Sequence, residues 1–258
     1  MIDLHSHILH DFDDGARNLP AALAMARAAV ADGVTVMAAT PHARSSANAA
    51  FSRYSVALLQ ERLAELRAAL AEQAIPLTVV PGTELFGEPG VVERLRAGEV
   101  LAYGESRAVL VEFPLYIARP AAEEIVFALQ LAGYRVVIAH PERYRFVQND
   151  PNALVPLVTR GALMQLTGDA LLGRQGERLK RLAELMLAHG LVQILATDAH
   201  GPHFGRLPNM GAARARAVEL VGEAVADAIT RFVPAAVLSD GLITPPNPRP
   251  IRRRFGWF

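Results

Sequence analysis

The sequence predicts an α/β protein whose parallel strands close into a barrel, and three observations lead there. Short apolar or β-branched runs alternate with longer segments of helical periodicity, the pattern of a parallel sheet covered by helices. Nine side chains with metal-ligand chemistry stand at or just beyond the ends of six of those runs: His5, His7, Asp14, His42, Glu84, Glu112, His140, Asp198 and His200. In a parallel β/α barrel all strand C-termini open on one face, so ligands scattered through the sequence converge there. An open doubly wound sheet would instead gather its ligands near one crevice. Ligands after strands one, two, three, four, five and seven fit a closed barrel better.

The elements follow in order. Ile2 to His5 is the first strand. The helix at Pro20 to Ala31 starts with a proline suited to a first turn and ends before Gly33. Val34 to Thr40 is strand two, and Tyr54 to Glu72 the long helix after it. Leu77 to Val80 forms strand three, Val91 to Ala97 a short helix, and Ala108 to Phe113 strand four. The helix Ala121 to Ala132 stops at Gly133, and strand five, Arg135 to Ala139, cannot continue through Pro141. A helix at Asn152 to Thr159 leads to strand six, Ala162 to Leu166; the helix Glu177 to His189 ends at Gly190, before strand seven, Val192 to Thr197. Met210 to Val221 is the last long helix, Ala224 to Val237 one or two short ones, and Pro245-Pro246-Asn247-Pro248 an extended stretch. No linker or internal repeat divides the chain. A single barrel domain over residues 1–244 with a Pro/Arg-rich tail over 245–258 is expected.

With 258 residues, 52% of them hydrophobic, the chain can bury a large core. Lys+Arg and Asp+Glu balance at 26 each, so no global field favours nucleic acid or acidic surfaces. The absence of cysteine excludes disulfides, thiolate metal sites and the cysteine route to phosphate ester cleavage. No apolar run approaches the roughly 20 residues that span a bilayer, and Met1-Ile2-Asp3-Leu4-His5 has no basic region followed by an apolar stretch. A cytoplasmic location is expected.

His5 and His7 lie two apart, so on an extended strand both side chains point to one side and can share an ion. Alone, the pair is equally well explained as two partly exposed histidines. Asp198 and His200 repeat the spacing after the apolar strand Val192 to Ala196, where a buried carboxylate and imidazole need a partner to offset desolvation. Glu84 and Glu112 each close an apolar run, and taken singly either could be a capping or salt-bridged glutamate. His140 and His42 end their strands in similar style. Recurrence decides for a metal centre. Imidazoles with carboxylates and no sulfur suit Mn, Fe, Zn or Mg. Nine ligands exceed one ion's needs, so two or three divalent ions are expected, with at least one bridging carboxylate. Such ions bind a phosphate oxygen and a water, lowering the pKa of that water so that hydroxide attacks in line. Arg143 and Arg206 stand close to the set, and guanidinium forks match phosphate oxygens.

These motifs together carry a family resemblance. Met1-Ile2-Asp3-Leu4-His5-Ser6-His7-Ile8, Asp11-Phe12-Asp13-Asp14-Gly15, Thr40-Pro41-His42, Gly82-Thr83-Glu84, Val111-Glu112-Phe113, His140-Pro141-Glu142-Arg143-Tyr144 and Thr197-Asp198-Ala199-His200 occur in this order. The chain resembles the polymerase and histidinol phosphatase (PHP) superfamily, and within it the manganese-dependent protein-tyrosine phosphatases of the capsule and exopolysaccharide type. The resemblance implies a distorted TIM-like barrel of seven β/α units and three metal positions. His5, His7, Glu84 and Asp198 would hold one ion, Glu84, Glu112 and His140 a second, and Asp14, His42 and His200 a third. Arg143 and Arg206 would clamp the phosphoryl group. Spacing leaves open which of Asp13 and Asp14 reaches the metal; the family pattern points to Asp14. Pro41 before His42 departs from the phosphatase branch and is similar to the wider superfamily.

The implied reaction is hydrolysis of phosphotyrosine on a protein, with a membrane-bound tyrosine autokinase as the partner implied by resemblance. A phenolate, of pKa about 10, leaves with less protonation help than an alkoxide, and a metal-bound water or His42 is available to assist. A small-molecule phosphatase of the histidinol phosphate type uses the same chemistry and is the alternative. A non-catalytic docking module would not need the complete ligand set, and nuclease action lacks a basic, aromatic-interleaved surface. The segments Ala43 to Arg53 and Leu85 to Gly90 read as loops around the site. His10, His189 and His203 read as ordinary histidines. The tail Arg252 to Phe258 joins a basic cluster to aromatics and is expected to be unstructured, with weak contact to an anionic membrane surface as its other reading.

Overall fold

The structure, a computed structural model, describes residues 1–43, 53–244 and 248–252. The chain runs β1 (Ile2–Asp3), α1 (Leu19–Ala31), β2 (Val36–Ala39), α2 (Val56–Glu72), β3 (Thr78–Pro81), β4 (Glu84–Phe86), α3 (Val91–Arg96) and β5 (Ala108–Glu112). It continues with α4 (Arg119–Leu131), β6 (Arg135–Ala139), α5 (Arg145–Asn149), α6 (Val155–Thr159), β7 (Leu163–Thr167), α7 (Gly168–Leu171), α8 (Glu177–Ala188) and β8 (Ile194–Ala196). The last helices are α9 (Met210–Val221), α10 (Glu223–Asp227) and α11 (Val233–Leu238).

Local chemistry sets the helix starts. Asn18 Oδ1 accepts from Ala21 N at 2.9 Å and Pro20 occupies the first turn of α1, while Ser55 Oγ accepts from Leu58 N at 3.1 Å at the start of α2. Leu59, Leu63, Leu66 and Leu70 recur at helical spacing and turn the buried face of α2 inward.

All strand pairs are parallel, in two sheets of order β1-β2-β3 and β4-β5-β6-β7-β8. Isolated bridges join the sheets into a ring. Ser6 pairs with Ala199, with Asp198 N donating to His5 O and His7 N to Ala199 O, both at 2.9 Å. On the other side His42 pairs with Glu84, and Ala43 N donates to Glu84 O at 2.9 Å. This is the distorted barrel expected, with one correction: the third strand is broken. Proline at 81 has no N–H, and the chain steps at Gly82-Thr83 so that β3 pairs with β2 and β4 with β5. A Cβ on Gly82 would come within 3.1 Å of both Thr40 and the Tyr103 ring, so the step passes through a gap that only glycine fits comfortably.

Leu85 and Phe86, expected in a loop, therefore belong to β4; residues 44–52 of the other expected loop lie outside those described. The first strand is shorter than Ile2 to His5: beyond Asp3 the backbone also bonds to the segment after β8, Asp198 N donating to His5 O, while Thr40 N still donates to Ser6 O at 2.9 Å. The expected helix at Asn152 to Thr159 is a 3-10 turn, Pro151–Leu154, followed by α6. The short α5 and α7 were not anticipated, since four or five residues carry no readable periodicity. Ala224 to Val237 forms α10 and α11 joined by a π-helical segment, Ala228–Phe232.

Most of the core lies between strands and helices, as with Met37, Val109, Ile138 and Leu195. A second cluster of Leu4, Ala38, Leu110, Val137, Leu163 and Ile194 gathers with Tyr103 and Val237. The segment after α11 lies under the strand starts: Arg107 N donates to Asp240 Oδ1 at 2.9 Å and Arg135 Nη2 to Gly241 O at 2.9 Å. Further on, Arg249 N donates to His189 O at 2.9 Å, and Ile251 N donates to Asn152 Oδ1 at 2.7 Å. Residues 245–247 and 253–258 of the expected tail lie outside those described. No helix among the described residues is long and apolar enough to cross a membrane.

Candidate metal centre

All nine predicted ligands meet at the C-terminal end of the barrel. His5 Nε2 lies 3.3 Å from Glu84 Oε2 and 3.4 Å from Asp198 Oδ1; His7 Nε2 lies 3.4 Å from each of the same two oxygens. Two nitrogens and two oxygens therefore surround one point. His140 Nε2 is 3.0 Å from Glu84 Oε1 and 3.5 Å from Glu112 Oε2. Asp14 Oδ1 is 3.5 Å from His200 Nε2 and 3.7 Å from His42 Nε2. Glu84 sits between all three groups: Oε1 faces His140, and Oε2 faces His5, His7 and His42 Nδ1, the last at 3.0 Å.

The donor set fits metal ions. Ligands bonded at about 2.1 Å are separated by about 3.0 to 3.4 Å along the edges of an octahedron or tetrahedron, which is the spacing seen. Buried polar atoms are normally hydrogen-bonded, yet His5 Nε2, His7 Nε2 and Glu84 Oε2 are buried without a hydrogen-bond partner among the described residues. A cation satisfies all three together. Overlapping groups drawn from His5, His7, Asp14, His42, Glu84, Glu112, His140, Asp198 and His200 can each hold an ion.

Around this set a second layer fixes the imidazoles, and sequence reasoning missed most of it. His5 Nδ1 donates to Gln165 Oε1 at 2.8 Å, His7 Nδ1 to Asp13 Oδ2 at 2.7 Å and His200 Nδ1 to Asp198 O at 2.9 Å. With Nδ1 protonated, each ring presents Nε2 to the centre. Strand six, which ends Gln165-Leu166-Thr167 and offers no ligand, thus supplies an orienting side chain. The adjacent aspartates occupy different places. The Asp13 side chain is 1% exposed, bonded to His7 and to His42 N, whereas Asp14 is 44% exposed and faces His42 and His200. Deeper still, Asp3 accepts from Thr197 N and Oγ1 and from His5 N, tying β1 to the end of β8.

Charge is balanced by mutual pairing. Burial disfavours the Glu84 carboxylate, but His5, His42 and His140 outweigh it and hold its pKa well below the usual range. Asp198 behaves likewise, opposed by burial and held low by His5, His7 and Arg206. His140 gains the converse effect: burial resists its charge, yet Glu112 and Glu84 push its pKa up to about 10. Two strand-end ligands, His140 (φ 33°) and Asp198 (φ 52°), adopt left-handed backbone conformations, which non-glycine residues tolerate mainly where surrounding contacts enforce them.

Arg143 and Arg206 flank the ligands in a cavity of about 150 Å³ that also exposes Asp14, His42, Glu84, Glu112, His140, Asp198 and His200. Arg206 Nη2 donates to Asp198 Oδ2 at 2.6 Å and to Asp198 O at 2.8 Å, so Arg206 also braces a ligand. The space takes ions, water and one phosphoryl group, and the rest of a substrate must lie outside it. His10, whose Nε2 is 3.0 Å from Glu65, and His189, whose Nδ1 donates to Arg249 O at 3.0 Å, have partners outside the centre, whereas His203 lies in the field of Asp14 and Arg17.

A family model described as capsular polysaccharide synthesis, CpsB/CapC, matches residues 1–239. The chain belongs to the CpsB/CapC family. Tyrosine-protein phosphatase YwqE of Bacillus subtilis is 38% identical over 202 residues, covering 78% of this chain and 77% of that protein. A solved structure from work on YwqE of Bacillus subtilis and CpsB of Streptococcus pneumoniae, described as unique metal-dependent tyrosine phosphatases, superposes with a TM-score of 0.91 at 32% identity. It covers 98% of this chain and 100% of the other. Histidinol phosphate phosphatase from Lactococcus lactis, 15% identical with a TM-score of 0.52 over 78% of this chain and 87% of that one, shares the fold. That likeness is one of fold alone.

Proposed function

We propose that this chain is a metal-dependent protein-tyrosine phosphatase. The observation that carries the reading is the joint arrangement of nine converging ligands and two arginines around one small cavity, on a barrel of the CpsB/CapC family. Its relative YwqE bears the name tyrosine-protein phosphatase. Three ion positions are assigned: His5, His7, Glu84 and Asp198; Glu84, Glu112 and His140; and Asp14, His42 and His200. Glu84 would be shared by the first two positions, and manganese would be the metal held. Divalent ions there supply an acidified water as nucleophile and neutralise charge on phosphoryl oxygens.

The chain's own residues do the rest. Arg143 is kept cationic: burial opposes its charge, but Asp198, Glu112 and Glu84 raise its pKa. It binds the transferring phosphoryl group together with Arg206, which lines the same cavity and whose guanidinium Asp198 fixes. Gln165 and Asp13 hold the rings of His5 and His7 in the productive tautomer. His42 lines the same cavity, with Nε2 toward Asp14 and Nδ1 3.0 Å from Glu84 Oε2, so its part is to hold the third ion rather than to protonate the phenolate.

The substrate assigned is a phosphotyrosine protein, a membrane-bound tyrosine autokinase of capsule or exopolysaccharide synthesis, met in the cytoplasm. Residues 1–244 form the catalytic domain and 245–258 a tail. The test is turnover of a phosphotyrosine peptide with added manganese, beside histidinol phosphate as a contrasting substrate. Replacing His5 and His7 together by Ala is expected to abolish peptide turnover while far-UV circular dichroism stays unchanged. Retained turnover, or faster turnover of histidinol phosphate than of the peptide, would sink the assignment.

A further inference from the structure

Arg143 and Arg206 line two cavities. Beside the metal centre lies a larger one, of about 340 Å³, walled by Arg143, Asp169, Arg174, Gln175, Gly205 and Arg206. Three guanidinium groups and one carboxylate line it; Arg206 is also paired with Asp198, and Arg143 lies in the field of Asp198, Glu112 and Glu84. The Asp169 carboxylate is already engaged: Asn209 Nδ2 donates to Asp169 Oδ1 at 2.5 Å and Arg174 Nη1 at 3.2 Å, while Arg174 N donates to Asp169 O at 2.9 Å. Asp169 therefore holds Arg174 against the cavity wall. A guanidinium carries five N–H donors, and Asp169 occupies the Nη1 side of Arg174, whose side chain is half exposed. Among the described residues no other hydrogen bond engages the Arg174 guanidinium, although the Asp32 carboxylate is near enough to feel its charge.

We propose that this second cavity is an anion subsite, in which Arg174 recognises an acidic group of the substrate peptide close to the phosphotyrosine. The inference rests on the phosphatase reading above. An extended peptide advances roughly 3.3 Å per residue, so a cavity that shares two wall residues with the phosphate site lies within reach of neighbouring side chains. The group recognised is an oxyanion. A Glu or Asp carboxylate and a second phosphoryl group offer the same paired acceptors, and a guanidinium fork matches both. Arg174 does not line the metal-binding cavity, so it acts on specificity alone.

The test compares kcat/KM for phosphotyrosine peptides flanked by Gln, by Glu, by Lys or by a second phosphotyrosine, with phenyl phosphate as a substrate that has no flanks. The holoenzyme is expected to favour the acidic peptides by about three-fold, the size set by a partly exposed ion pair, chiefly through KM. Gain confined to Glu or to phosphotyrosine identifies which oxyanion is read. Arg174→Gln should erase the preference and Arg174→Glu should turn it toward Lys, both with phenyl phosphate turnover unchanged. A preference that survives both variants, or a wild type indifferent to its flanks, overturns the subsite alone. A wild type inactive on phenyl phosphate and on every peptide brings down the phosphatase reading, and the subsite with it.

Discussion

At the scale of single residues, the site works because orientation and charge are set before any ion arrives. Asp13 contributes both, accepting from His7 Nδ1 at 2.7 Å and from His42 N at 2.9 Å. Asp13→Asn keeps the shape but can present an N–H where an acceptor is needed. Metal affinity should fall about 10- to 100-fold, seen in a manganese titration of activity and partly restored by excess manganese; an unchanged titration would remove Asp13 from this role. Protonation supplies a second prediction. The pKa values of His5, His7 and His140 are all raised by their carboxylate neighbours against the effect of burial, that of His140 from 6.5 to about 10. A proton that the unfolded chain sheds near 6.5 is therefore kept by the metal-free protein until about pH 10. The stability this gives is complete below pH 6.5 and is lost as pH rises through 10. Ions must displace these protons. Calorimetry of manganese binding at pH 7 in buffers of different ionisation enthalpy should show net proton release, and apparent affinity should rise with pH. Binding with no proton exchange would contradict the assignment.

At the scale of elements, the loop after β1 shows how the sequence serves the site. Ala16 N donates to His7 O at 3.0 Å, and a Cβ on Gly15 would fall 2.0 Å from that same oxygen and 2.5 Å from His7 Cβ. Only glycine allows the Asp13-Asp14 pair to fold back onto His7. Gly15→Ala must push the loop away, costing about 1 to 3 kcal/mol as an overpacked contact does, with loss of metal affinity beyond what that destabilisation explains. Urea unfolding and a metal titration on the same variant measure both. The convergence of His5, His7, His42, Glu84, Glu112, His140, Asp198 and His200 was legible because each stands at or just beyond the end of an apolar run, whereas Asp14 was singled out from Asp13 only by the family pattern; the strand-to-helix alternation gave the order of the long elements. The break of strand three was not, because whether the chain resumes as a strand after Pro81-Gly82 depends on β5 being beside it. Gln165 was invisible as a functional residue for a similar reason: a buried glutamine near a strand end takes its meaning from His5, 160 residues away in sequence.

At the scale of the molecule, the barrel is two sheets rather than one. Among the described residues the three-stranded and five-stranded sheets are joined by short bridges, Ser6 with Ala199 and His42 with Glu84, together with the Asp3–Thr197 hydrogen bonds, and those bridges run through or beside the candidate ligands. The first proposed ion position would draw His5 and His7 from the chain following β1, Glu84 from β4 and Asp198 from the chain following β8. An ion there binds across both seams, whereas without it the seams are held by a few hydrogen bonds and histidine-carboxylate pairs. Metal binding should therefore stabilise the whole barrel rather than one loop. At a free metal concentration about 1,000 times the dissociation constant the gain is about 4 kcal/mol, which for a chain of this size moves Tm by roughly 8 to 16 °C. Chelation should lower Tm by that amount, and hydrogen exchange should report faster opening in β1 and β2 as well as in β7 and β8. A Tm insensitive to chelator, or protection lost only near Asp14 and His42, would mean that the ions decorate a barrel already closed without them.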